Sequence, residues 1–340
     1  MEPAVTDLLA LDQLAPELAH VMGDTRWLDV QADLISGGKS NLTFTLTSPA
    51  GELILRRPPT GSLLPSAHDM GREARVQRAL ATTDVPVAHV VLYDRGRLLG
   101  VPCYVMQRVR GHVVRSELPT AYAETRAERQ ALAYTFVDTL AALHTVDPEL
   151  VGLGDYGRPQ GFLERQVHRW IDQWVASRTH QVAEIDELGR RLASTVPAPE
   201  RASIVHGDFR LDNVVFDLDK PDRIRAVLDW ELSSLGDPLT DVGLLMLFWR
   251  EPGEATISLI PGVTHLDGFP DRAALRERYA THTGADLGCL AFYEAFAHFK
   301  FAVIAQGVSA RAKAGAMGGQ TFGNLDDEIR ELGRAGLCRI

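Results

Sequence analysis

The stretch Ile204-Val205-His206-Gly207-Asp208-Phe209-Arg210-Leu211-Asp212-Asn213, with the Asp229-Trp230-Glu231 that follows it, most constrains what this chain can fold into. Two strand-like runs, Val214–Asp217 and Ile224–Leu228, separate the two segments, and Leu218-Asp219-Lys220-Pro221 forms the turn between them. An antiparallel hairpin sets the start of its first strand beside the end of its second. Asn213 and Asp229 are therefore expected at one end, next to Asp208. An amide oxygen beside a carboxylate makes a hard-oxygen site suited to Mg²⁺. A further carboxylate one short loop away can orient and deprotonate a hydroxyl. Phosphoryl transfer asks for this combination: a metal across the β- and γ-phosphates and a residue that positions the nucleophile.

The chain changes character around this island. Upstream, Ala32–Ser36 and Leu42–Thr47 flank Gly37-Gly38, and Leu53–Arg56 follows the turn Ser48-Pro49-Ala50-Gly51, a pattern of short antiparallel strands. The spacing predicts a helix over Asp69–Ala81 with Met70, Ala74, Gln77 and Leu80 on one side, then strands near Ala88–Tyr93 and Pro102–Arg108. Beyond them, Leu132, Phe136, Leu140 and Leu143 recur at helical spacing. Further helices are expected over Gly161–Ser177, Glu184–Ser194, Leu239–Trp249, Arg272–Tyr279, Leu290–Ala310 and Asn324–Leu337, with Gly315–Gly319 as a flexible gap. The order implies an α+β chain: a small antiparallel β-rich N-lobe with one main helix, residues 1–107, and a larger, mainly helical C-lobe, residues 108–340, hinged near Gln107–Gly111.

Ser36-Gly37-Gly38-Lys39-Ser40-Asn41 lies between two strands, and its glycines permit close backbone approach to phosphate. A P-loop reading of Gly-Lys-Ser fails. Asp33 stands where that motif needs its first glycine, and a strand rather than a helix follows.

The spacing His-x-Asp-x-x-x-x-Asn ahead of a metal-binding aspartate resembles the protein-kinase catalytic loop and its second aspartate motif. His-Gly-Asp and Asp-Trp-Glu in these places look like the aminoglycoside phosphotransferase and choline kinase branch. The resemblance implies a two-lobed protein-kinase-like fold, with ATP and Mg²⁺ as cofactors and a small-molecule acceptor as partner. It implies Asp208 as the base and Asn213 and Asp229 as metal ligands. Gly37, Gly38 and Ser40 would lie over the phosphates. Arg56 fills the slot of the usual lysine with Glu73 as its partner, and Arg57 or Lys39 is the alternative cation. Gln107 and Val109 would offer backbone groups to adenine. His206 and Asp241 would support the loop, although Asp237 or Asp241 is equally explained as a helix cap. Gln166, Arg169, Trp170 and Glu231 are candidates for the acceptor side; the plainer reading of the first three is an amphipathic helix with a buried tryptophan. His144, His298 and Lys300 read as packed or helix-boundary groups.

A narrower resemblance rests on Ser36–Thr43, Leu55-Arg56-Arg57-Pro58-Pro59, Pro65-Ser66-Ala67-His68 and Gln166-Val167-His168-Arg169-Trp170. These segments look like a bacterial phosphotransferase subgroup that is similar to kinase-like domains fused to acyl-CoA dehydrogenases. In that group an arginine in the lysine slot is normal. The acceptor implied is a hydroxy acid or hydroxyacyl-CoA, with an aminoglycoside-like compound still open.

A formal charge of −10 argues against a sequence-independent nucleic-acid binder. The 3 cysteines are widely spaced, which points away from a zinc site or disulfide framework and toward a reduced, cytoplasmic setting. The first residues lack the basic start and apolar core of a signal peptide, and no apolar run is long enough to span a bilayer. Two other functions are compatible with parts of the sequence. A nucleotide-binding pseudokinase or regulatory module is motivated by Arg56. A metallophosphoesterase is excluded for want of its Asp-x-His and Asn-His motifs.

Overall fold

Apolar alternation along Leu42–Arg57 builds the first sheet. Successive side chains of a strand face opposite ways, so Phe44, Leu46, Leu53 and Leu55 enter one core while Ile54 and Arg56 belong to the other face. The structure, a computed structural model, describes residues 8–35, 41–59, 69–198, 201–260, 262–313 and 323–340. Gly37, Gly38, Lys39, Ser40, Pro65–His68 and Gly315–Gly319 lie outside the described residues.

Two compact units are present, one formed by residues 1–111 with 225–233, the other by 112–224 with 234–340. Residues 225–233, which a division after Gln107 assigns to the C-lobe, belong to the first unit.

In the first unit, strands β1 (Gln31–Leu34), β2 (Leu42–Ser48), β3 (Gly51–Arg57), β4 (Val90–Asp94) and β5 (Cys103–Gln107) form an antiparallel sheet in the order β1-β2-β3-β5-β4. Helix α1 (Leu11–Met22) covers one face, where Leu14 and Leu18 join Trp27, Phe44, Leu55 and Val105. Helix α1 lies ahead of Ala32, where the first element expected from the sequence begins. Helix α2 (Met70–Leu80) serves the other face, with Met70 and Ala74 against Ala88, Val90, Tyr104 and Met106. Asp69 caps α2 by accepting from Gly71 N and Arg72 N. Strand β8 (Ile224–Val227) touches this unit through a parallel bridge between Val87 and Val227.

The second unit is mainly helical: α3 (Arg126–Thr145), α4 (Phe162–Ser177), α5 (Ala183–Ser194), α6 (Leu239–Phe248), α7 (Arg272–Thr283), α8 (Leu290–Lys313) and α9 (Leu325–Leu337). Leu132, Phe136, Leu140 and Leu143 are all buried on α3, whose start is closed by a capping box between Thr125 and Glu128. Strand β6 (Ser203–Val205) pairs with β9 (Ser234–Gly236), and Val214–Phe216 forms β7. Helix α6 is buried along nearly its whole length, with Asp241 as the charged group of its otherwise apolar buried surface. Its Gly243 has no room for a side chain, since a Cβ there would stand 2.5 Å from Tyr293 O on α8.

Candidate active site

In the second unit, β6 runs into His206 and a loop closed by the short 3-10 turn Leu211–Asn213. Gly207 takes φ 84°, a left-handed conformation that glycine adopts at little cost. The loop hangs from Asp241 in the first turn of α6. Asp241 Oδ2 accepts from His206 N at 2.6 Å, and Oδ1 accepts from Gly207 N at 2.8 Å. His144 Nε2 lies 3.3 Å from the same Oδ2, and its Nδ1 is 2.8 Å from the Tyr279 hydroxyl. Burial alone would raise the Asp241 carboxyl. The hydrogen bond and charge of His144, together with His206, hold it below the usual carboxylate range. The neighbouring Asp237 accepts from Leu239 N at 3.0 Å, and so serves the start of α6, while Tyr293 donates to its other oxygen at 2.6 Å.

Within the loop, Asn213 Nδ2 donates to the main-chain oxygen and to Oδ2 of Asp208, both at 2.9 Å. With its hydrogens used on Asp208, the Asn213 amide keeps Oδ1 as its donor for a hard cation. Arg210 Nε is 3.3 Å from Asp208 Oδ2 and 2.9 Å from Asp212 Oδ1. Lys300 is no helix-boundary group. It sits inside α8, donates from Nζ to Gly207 O at 3.0 Å, and lies 5.6 Å from the centre of the Trp170 ring. His298, also inside α8, uses Nδ1 on Glu294 O at 2.6 Å. On α4 the buried tryptophan is Trp174; Trp170 and Gln166 are half-buried and Arg169 is exposed.

In the first unit, Arg56 gathers carboxylates. Its Nη1 is 3.5 Å from Glu73 Oε2, and its Nη2 is 3.0 Å from Asp229 Oδ1 and 4.0 Å from Glu231 Oε2. Asn41 Nδ2 donates to Glu73 Oε1 at 3.0 Å and to Glu231 Oε2 at 3.1 Å. Tyr104, opposite Arg56 in the β3–β5 register, donates to Glu73 Oε2 at 2.9 Å. Burial pushes the Glu73 carboxyl up to about 7, against the pull of Arg56 and the Tyr104 hydroxyl. Asp229 adopts φ 63°, ψ 64°, a left-handed conformation that aspartate tolerates better than most residues. Arg57 points to the opposite face of β3 and donates to Leu8 O and Pro58 O, so the two arginines are not interchangeable. The Gln107 N–H is engaged by His89 O at 2.9 Å, and Val109 packs against the core cluster that includes Tyr104 and Met106.

Three carboxylates around one guanidinium leave this cluster negative, and among the described residues Arg56 Nε has no hydrogen-bond partner. That donor set fits a divalent cation carried by a phosphate ligand: surplus carboxylate for the metal, an unspent N–H for the phosphate. Among the described residues no group of three or more His, Cys, Asp or Glu side chains could hold a metal by itself. Mg²⁺ asks for less, taking one or two protein oxygens beside phosphates and water.

A family model described as "Phosphotransferase enzyme family" matches residues 32–293. The chain belongs to that family. Rat acyl-CoA dehydrogenase family member 11 is 37% identical over 308 residues, covering 88% of this chain and 39% of that protein. The chain thus spans well under half the length of this relative. Among solved structures, a candidate aminoglycoside phosphotransferase of Ralstonia eutropha is 34% identical with a TM-score of 0.81, covering 96% of this chain and 97% of that one. A thermostable mutant of aminoglycoside phosphotransferase APH(4)-Ia, in ternary complex with ADP and hygromycin B, has a TM-score of 0.61 at 18% identity, covering 96% of this chain and 98% of that one. The last likeness is one of fold alone; with the 34% identical structure it makes the α+β architecture the two-lobed, protein-kinase-like fold.

Asn41, Tyr104, Arg210 and Lys300 were not singled out from the sequence as site residues. Asn41 ends the glycine-rich turn, and Lys300 interrupts the apolar run Phe296–Val303, so both carried a visible signal. Tyr104 and Arg210 carried none until register and loop geometry were known.

Proposed function

We propose that the chain transfers the γ-phosphate of ATP to an alcohol hydroxyl of a small molecule. The observation that carries the reading is the Asp208 carboxylate, oriented by Asn213 in a loop suspended from the buried Asp241. A base held in this way can align a hydroxyl and take its proton as the oxygen attacks the γ-phosphorus, while the bond to the ADP oxygen breaks. Asn213 and Asp229 are the residues that would hold Mg²⁺, which when bound supplies charge neutralisation across the β- and γ-phosphates. Arg56 would turn guanidinium N–H bonds to the phosphates, with Glu73 holding it in place and Gly37, Gly38 and Ser40 above them. Gln107 and Val109 remain the candidates for adenine, and Gln166, Arg169, Trp170 and Glu231 for the acceptor side. The test is Mg·ATP-dependent transfer to a panel of hydroxy acids, hydroxyacyl-CoAs, aminoglycosides and choline-like alcohols, read by product mass. Asp208→Asn should keep nucleotide binding and lower the transfer rate by about 10²–10⁴-fold. Full activity in that variant removes Asp208 from the mechanism.

A second reading, a nucleotide-binding pseudokinase or regulatory module, draws on the engagement of Asp229 by Arg56. A melting shift with Mg·ATP but no turnover across the panel favours it.

A further inference from the structure

Lys300 has an environment that a structural role does not explain. Its ammonium holds the Gly207 carbonyl at 3.0 Å and stands 5.6 Å from the centre of the Trp170 ring. Among the described residues, no carboxylate comes within ion-pairing distance of it, and Gly207 O is its one hydrogen-bond acceptor. Burial lowers its affinity for the proton and nearby Arg169 lowers it further, whereas Asp208 and Asp241 act the other way. A neutral donor such as glutamine makes the same bond to a carbonyl without the desolvation cost of a charge. The ammonium has three N–H bonds, and the protein acceptor uses one.

The position of this charge is informative. Gly207 O belongs to the residue before Asp208, so the cation stands beside the loop that carries the base, beyond ion-pairing distance of its carboxylate. The ring beneath it and the second cation beside it, Trp170 and Arg169, both come from α4, and Arg169 is exposed. An ammonium over an aromatic face, with the Arg169 charge acting on it, sets positive charge beside the loop that carries Asp208, in a chain whose formal charge is −10.

We propose that Lys300, with Arg169 beside it, is an anion anchor for the acceptor: the ammonium that holds Gly207 takes an oxyanion of the acceptor, a carboxylate or phosphate ester, and so orients its hydroxyl toward Asp208. The hydroxyl rests on the phosphotransferase reading; the anion rests on Lys300 alone. The anchor favours anionic hydroxy compounds over polycationic ones, which meet like charge there.

The test uses the full chain with indole-¹⁵N tryptophan, the Trp170 resonance being assigned through Trp170→Phe. The probes are 3-hydroxybutyrate, its neutral amide and inorganic phosphate, each titrated with and without saturating Mg·AMP-PNP. The acid and phosphate should shift the Trp170 resonance, and the amide should bind at least tenfold more weakly. Lys300→Met should weaken the acid by about 10- to 100-fold and leave the amide where it was. Lys300→Arg should keep most of the preference. If Lys300→Met does not fold, Arg169→Gln on the exposed face should reduce the preference several-fold. Equal binding of acid and amide, no shift with any probe, or an equal loss of both in Lys300→Met overturns the anchor and leaves Lys300 a brace for Gly207. Loss of the anion effect with Mg·AMP-PNP also overturns it, assigning the cation to the nucleotide's γ-phosphate. Acid binding without transfer to any hydroxyl rejects the phosphotransferase reading and leaves the anchor standing.

Discussion

At the residue scale, Arg56 and Glu73 form a buried ion pair 3.5 Å apart. Glu73 is 1% exposed, and burial pushes its carboxyl up to about 7 even with Arg56, Tyr104 and Asn41 around it. A buried ion pair is weak as a source of stability, but removing one partner strands the other. Arg56→Met should therefore destabilise the fold by about 3–5 kcal/mol, and Arg56→Met with Glu73→Leu should recover most of that loss in urea denaturation. Asp229 and Glu231 are partly exposed and keep water, so they contribute little to the penalty. The pairing of Arg56 with Glu73 was implied by the family resemblance, through the strand and helix slots that the two residues fill. Asn41 and Tyr104 could not be placed in this way, because what they touch is set by strand register and by a turn more than a hundred residues away.

At the scale of elements, local chemistry governs most of what formed. The α3 stripe Leu132, Phe136, Leu140 and Leu143 follows helical period, and its start follows a Thr-x-x-Glu box, so both ends of that argument lie within one short segment. Helix α1 escaped detection for an equally physical reason. Pro16 lies inside it and removes a backbone donor, and Leu14 and Leu18 become a packing stripe only where Phe44 and Leu46 receive them. The contact between α6 and α8 is the element-scale feature most open to test. Gly243 lets the helices approach until a Cβ would stand 2.5 Å from Tyr293 O. Alanine is the better helix former, yet Gly243→Ala should destabilise by about 1–3 kcal/mol through overpacking. An unchanged urea midpoint would mean that α8 can shift aside.

For the whole molecule, buried His298 makes stability depend on pH. Burial, with Arg339 nearby, brings its imidazole down from 6.5 to about 4, so the folded chain keeps it neutral where the unfolded chain takes up a proton. Its contribution to stability is complete above about 6.5 and is lost as pH falls toward about 4, on the order of 3 kcal/mol over that window. Glu73 acts in the opposite sense, its contribution falling as pH rises from 4.5 to about 7. The difference between wild type and His298→Gln isolates the histidine: the gap in unfolding free energy should narrow as pH is lowered, and a constant gap would show that His298 does not titrate. By itself, the sequence determined the α+β order of elements and the amphipathic stripes and marked the His206–Asn213 loop as the candidate site, because period, turn chemistry and motif spacing are written within a few residues. Tertiary structure alone decided that Asp241 carries the loop, that Arg56 meets three carboxylates, that Arg57 faces away, and that Lys300 comes to rest against Gly207. Those pairings join residues far apart in the chain, and which long-range pairs meet depends on how whole elements pack, which no local pattern records.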